Sequence, residues 1–330
     1  MSSRAMTRIS MGTAALGLLL TLPGGAFGQN VDSLVGVLGS PSVSARAQAV
    51  ARLNLVPIQS LSSAARQALV QLLEREATGQ VPYDQTTGKD DETYSEYVID
   101  LTRGVLRLQD ASAVRGIAFL GIETSRAAQE FVASRGAAAI PVLNEVWISK
   151  ATARPAIITT WGYTLASTTN GLAPDDRAAL LGRIIQAVPA YPIPAARAAR
   201  TASLITLLAP LRQIADTIAD PVIKNRLLAA AAELEPRMAA ASAPDVLAQL
   251  AEVIAGICQG TSGARQGTCT STQSLTTDAQ RHIAAGRTNA AHSVLAALQQ
   301  RAQAALSDGT LTALEATIIA ENARVADSKL

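Results

Sequence analysis

The chain predicts an all-α fold, an irregular array of helical hairpins followed by a small C-terminal helical module. Three observations predict it. Alanine and leucine dominate the 330 residues, and both are strong helix formers. Apolar residues recur at near-3.6 spacing in segment after segment. Glycines and prolines stand between those segments, where helices stop and start. Aromatic residues make up only 3% of the chain, so its core is built from small side chains between closely packed helices.

The first residues, MSSRAMTRISMGTAALGLLLTLPGGAFGQN, follow the logic of a secretory signal. Arg4 and Arg8 supply the positive end, and Met11 to Leu22 is an apolar stretch too short to span a bilayer comfortably. Pro23, Gly24 and Gly25 break it, and Ala26 and Gly28 occupy the small-residue positions before Gln29. Residues 1–28 are therefore expected to be cleaved, with a retained membrane anchor as the alternative. Removing Arg4 and Arg8 from 28 basic residues leaves 26, equal to the 26 acidic ones. That balance argues against a nucleic-acid partner, which needs a basic field. Beyond the leader no stretch of about 20 apolar residues suggests a transmembrane anchor. A periplasmic or extracellular location is expected.

Val31–Leu38 forms the first helix, ended by Gly39 and Pro41. Ser42–Leu53 carries Val43, Ala47, Val50 and Leu53 on one apolar face. Ser60–Ala77 turns Leu61, Ala65, Ala68, Leu69, Leu72 and Leu73 inward, and Gly79 follows its end. These helices are too short to stand alone and must bury their stripes against neighbours. The segment TGQVPYDQTTGKDDE (Thr78–Glu92) is polar and aperiodic, the kind of long loop that is often functional or mobile. Tyr94–Gln109 is helical again, with Tyr97, Leu101, Val105 and Leu108 aligned.

The stretch VLRLQDASAVRGIAFLGIETSRAAQEFVASRGAAAIPVLNEVW (Val105–Trp147) shows a recurring phrase. A helix ends, an aspartate-led turn follows, an apolar helix runs, and a glycine-alanine-proline phrase opens the next. This resembles the HEAT-type repeat of bacterial α-solenoids, which implies stacked helical hairpins of about 40 residues. The resemblance covers Val31–Ala187, although the phrase itself is missing after Ala153; a generic helical bundle is the alternative. Further helices are predicted over Arg154–Ser167, Pro174–Ala187, Ala195–Leu208, Leu211–Ala219, Pro221–Leu234 and Pro236–Ile257. Prolines near their starts suit positions where a missing N–H costs little. AVPAYPIPAA (Ala187–Ala196) holds three prolines, and no aromatic follows Tyr191. Residues 29–190 therefore read as the array, 191–210 as a hinge or linker, and 211–330 as the C-terminal module.

That module ends in a punctuated hairpin. Gly286 stops one helix, Asp308 and Gly309 make a turn, and Thr310 or Thr312 caps the last helix, with Glu315 completing a capping box. The phrasing over Ala279–Ala326 resembles the FIMAH module found at the C-termini of secreted bacterial proteins. The resemblance implies secretion and binding to a polymer or surface, and it implies no catalysis. Leu275–Leu330 holds five basic and five acidic residues, so bulk charge does not favour a sulfated polysaccharide there.

The two cysteines bracket CQGTSGARQGTC (residues 258–269). The ten-residue spacer excludes CxxC redox chemistry, and two cysteines without placed histidines make a poor zinc site. Beyond the inner membrane thiols oxidise, so a Cys258–Cys269 disulfide is predicted, stabilising by about 3 kcal/mol for a loop of this length. It would tie the helix ending at Ile257 to one starting near Ser271.

No catalytic motif is found: no HExxH, GxSxG, P-loop or dinucleotide fingerprint. His282 and His292 lack metal-ligand spacing and are given structural or surface roles. Asp84, Asp90, Asp91, Glu92 and Glu96 form the densest set of oxygen ligands, but not in EF-hand order. Asp91 or Thr93 more simply caps the helix at Tyr94. The better functional hint is aromatic. Tyr83, Tyr94, Tyr97, Trp161 and Tyr163 are candidate partner-binding residues on a solenoid surface, with Gly162 in TTWGYT open to a partner's approach. Core packing is the competing reading, favoured for Trp147. The expected function is an exported, non-enzymatic binding or scaffold protein, without cofactor or metal, engaging a protein or extracellular polymer. The alternatives are a structural accessory to a larger complex, and a metal-dependent factor or hydrolase using Asp84–Glu96.

Overall fold

The structure, a computed structural model, describes residues 24–79, 91–123, 125–149, 155–167 and 171–330. The fold is all-α: the described residues hold sixteen α-helices, a few short 3-10 turns and no strand. The proposed leader lies outside the described residues up to position 23. Among the described residues no helix is long and apolar enough to cross a membrane.

The first twelve helices build two rows. Helices α1 (Gly24–Val37), α3 (Ser63–Thr78), α5 (Val114–Leu120) and α7 (Ile140–Ser149) pack in succession along one side. Helices α2 (Val43–Leu55), α4 (Asp91–Leu108), α6 (Arg126–Ala133), α8 (Pro155–Ala166), α10 (Pro192–Thr201) and α12 (Pro221–Ala240) do so along the other. Helices α9 (Pro174–Ala187) and α11 (Leu208–Thr217) sit against the later members of this second row. Most of these helices meet both a chain neighbour and the helix two places on, which lets short amphipathic segments cover one another.

The remaining helices are α13 (Ala243–Ile257), α14 (Gly263–Ala284), α15 (Thr288–Ser307) and α16 (Ala313–Asp327). Helix α13 packs on α14 and α16, and α15 packs on the same two, giving a four-helix bundle. The bundle docks through α13 on α9 and through α16 on α11. One apolar core runs through both parts, from Val31 to Ala326.

Several boundaries differ from those the sequence suggests. Residues 191–210, expected as a hinge or linker, are largely helical. Pro192 and Pro194 begin α10, whose Ala195, Ala196, Ala198 and Ala199 are buried, and Leu204, Ile205 and Leu207 join the core. The packing changes instead at Ser242, where the bundle starts. Ala195–Leu208 is two segments, because Ser203 takes a left-handed conformation (φ 55°) between α10 and α11. Pro236 does not open a helix; it lies inside α12, which runs on to Ala240. The true start is set by Ser242, whose hydroxyl accepts from the Asp245 N–H while Asp245 accepts from the Ser242 N–H. The last helix begins as the sequence indicates, on the reciprocal Thr312–Glu315 capping box.

Candidate functional site

Among the described residues, the candidate aromatics do not line one groove. Trp161 is 0% exposed and its ring centroid lies 5.1 Å from that of Trp147. Tyr97 is 1% exposed. A partner-binding role does not fit these two side chains, because helices of the same chain close over them. Gly162 does permit a close approach, but by α10: a Cβ there would lie 2.5 Å from Cα of Ala198. Tyr94 is half-buried, and its hydroxyl donates to Glu76 Oε2 at 3.2 Å. Tyr163 is half-buried beneath the Arg126 guanidinium, 5.7 Å from the ring centroid. Tyr83, Asp84 and Asp90 lie outside the described residues, while Asp91 and Glu92 fall in the first turn of α4.

Tyr97 belongs to a buried polar cluster that the apolar periodicity conceals. Its hydroxyl donates to Glu76 Oε1 at 2.7 Å and accepts from Arg46 Nε at 3.3 Å. Arg46 pairs with Glu76 at 3.0 Å and donates to the carbonyls of Ser40 and Pro41. Arg46 stands three residues after Val43 and four before Val50, so the buried face of α2 contains a charge where the sequence suggests Ala47. Burial first, and then the Glu76 carboxylate, push the Tyr97 phenol well above its ordinary value. The cluster ties α2, α3 and α4 together.

The C-terminal residues fare differently. Cys258 and Cys269 form a disulfide with Cα atoms 5.5 Å apart. The bridge does not reach a helix starting near Ser271, because α14 already begins at Gly263 and buries Cys269 in its second turn. Arg265, in the spacer, is a hub. It donates to Ile257 O, to Thr310 O, and to both carboxylate oxygens of Glu315 at 2.5 and 3.1 Å. His292 Nδ1 lies 2.6 Å from Asp327 Oδ1, linking α15 to α16.

Glu315 also helps form the best candidate site. A largely apolar cleft of about 460 Å³ opens where α9, α11 and the start of α16 meet. Ile185, Pro189, Ile214, Ala313 and Leu314 supply its apolar walls, and Gln186, Gln213, Thr217 and Thr312 its polar rim. The size and the few converging polar groups suit a small ligand or a partner's side chain. Its one carboxylate, Glu315, is 5% exposed and already engaged by Arg265 and the Thr312 N–H. These bonds fix the carboxylate within the wall. Sequence reasoning missed this cleft because its lining comes from three helices distant in the chain, none carrying a motif.

No known family, curated protein or solved structure matches the chain.

Proposed function

We propose that the chain is an exported, non-enzymatic binding protein that grips a protein partner by an apolar side chain seated in the α9–α11–α16 cleft. The observation that carries this reading is the cleft itself, apolar in its depth and polar at its rim. Interface hot spots commonly take this form, one large apolar anchor in a preformed pocket. The two-row stacking of short helices supports the HEAT-like reading of the array, and the punctuated final hairpin supports the FIMAH-like reading of the end. The leader and the disulfide support export, since structural disulfides persist in oxidising compartments.

The test places a photo-crosslinking amino acid at Gln213, on the rim, in the chain expressed in its native host. A discrete adduct is expected, and Leu314→Arg, which fills the cleft with charge, should abolish it. An adduct that persists in that variant, or none in the native chain, would sink the proposal.

A further inference from the structure

Helices α10 and α12 pack beside a second cleft of about 360 Å³, which shares no lining residue with the apolar one. Its floor is Ile193, Ala196, Ala229 and Ala230, and its rim is Arg197, Arg200 and Arg226. All three arginines are exposed, and no carboxylate lines the cleft. Arg200 shares a salt bridge with Glu233 at 3.0 Å. Among the described residues, Arg197 and Arg226 have no acidic partner within ion-pairing distance. Elsewhere on the surface, Arg103, Arg126 and Arg324 each hold a nearby carboxylate.

We propose that this cleft is a binding site for a multiply charged oxyanion, carried as phosphate, sulfate or carboxylate. The helix spacing makes the cluster. Arg197 and Arg200 stand three apart on α10, so both reach the same face, and Arg226 faces them one turn before Ala229 and Ala230 on α12. The alanines keep the floor shallow, so the guanidiniums border it instead of being pushed apart by larger side chains. Glu233 offsets Arg200, but Arg197 and Arg226 border the same concavity without an acid, and an anion between them relieves their repulsion. Guanidinium forks match the paired oxygens of such groups.

The site is independent of the apolar cleft, and either can fail alone. The experiment titrates the full chain at low ionic strength with pyrophosphate, sulfate and citrate in separate calorimetric runs, which distinguishes the three chemistries. At least one should bind, and added sodium chloride should weaken it. An Arg197→Gln/Arg226→Gln variant should lose about tenfold or more in affinity. Arg212→Gln, on an exposed arginine already paired with Glu235, should leave binding unchanged. A second measurement needs no variant: the bound probe should slow phenylglyoxal modification of Arg197 and Arg226, read by peptide mass spectrometry. Binding by none of the probes, equal weakening in Arg212→Gln, or unprotected arginines would overturn the site.

Discussion

Arg46, Glu76 and Tyr97 illustrate how a buried charge is tolerated at the scale of single residues. Glu76 receives the Arg46 guanidinium and the hydroxyls of Tyr97 and Tyr94, while Arg46 also donates to two backbone carbonyls. Removing one member leaves its partners buried and uncompensated, which costs far more than the pair contributes when intact. Arg46→Met should therefore destabilise by about 3–5 kcal/mol in urea unfolding; a loss below about 1 kcal/mol would show that water reaches Glu76. The phenol gives a pH signature. Its folded value lies above the unfolded one of about 10, so its contribution is complete below that pH and falls as pH rises beyond it. One tyrosine should stay un-ionised in an alkaline absorbance titration until the chain unfolds. Tyr97→Phe should remove that delayed step.

Among helices, glycine positions decide how closely neighbours approach. A Cβ at Gly182 would strike the Gly256 carbonyl, and one at Gly256 would strike the Ala178 carbonyl, so α9 and α13 touch backbone to backbone. Gly182→Ala and Gly256→Ala should each destabilise by about 1–3 kcal/mol through overpacking, whereas Gly267→Ala, with open space around it, should not. Much of the element plan was legible in the sequence. Ala65, Leu69, Leu72 and Leu73 are buried on α3 as their spacing demands. Gly79 and Gly286 adopt the left-handed conformation expected just past a helix end. Less legible were features that depend on a partner element. Pro236 reads locally as a start, yet α12 tolerates it because Ser242 and Asp245 make a better start six residues on. Trp161 reads as a surface anchor because nothing local announces that Ala198 will cover Gly162. The candidate cleft was invisible for the same reason, since Ile185, Ile214 and Leu314 are brought together only by packing.

On the scale of the molecule, a near balance of 28 basic and 26 acidic residues conceals a local concentration. The composition argues against a general basic field, yet α10 and α12 place three arginines around one floor. The array and the bundle, read from sequence as parts joined by a hinge, share one apolar core and meet at the glycine crossing. They should accordingly unfold in a single cooperative transition, with coincident far-UV and near-UV circular dichroism melts. Gly182→Leu, which forces the crossing apart, should separate the two curves. Coincident curves in that variant would show that α16 on α11 holds the bundle unaided.

The uneven spread of aromatic residues gives this coupling its own optical reporter. Both tryptophans stand in the array, and no aromatic follows Tyr191. Intrinsic fluorescence therefore watches the array alone, while backbone ellipticity counts the helices of both parts. The bundle emits no intrinsic fluorescence, and loss of its support would register as a change in the light emitted by Trp147 and Trp161 without any label attached.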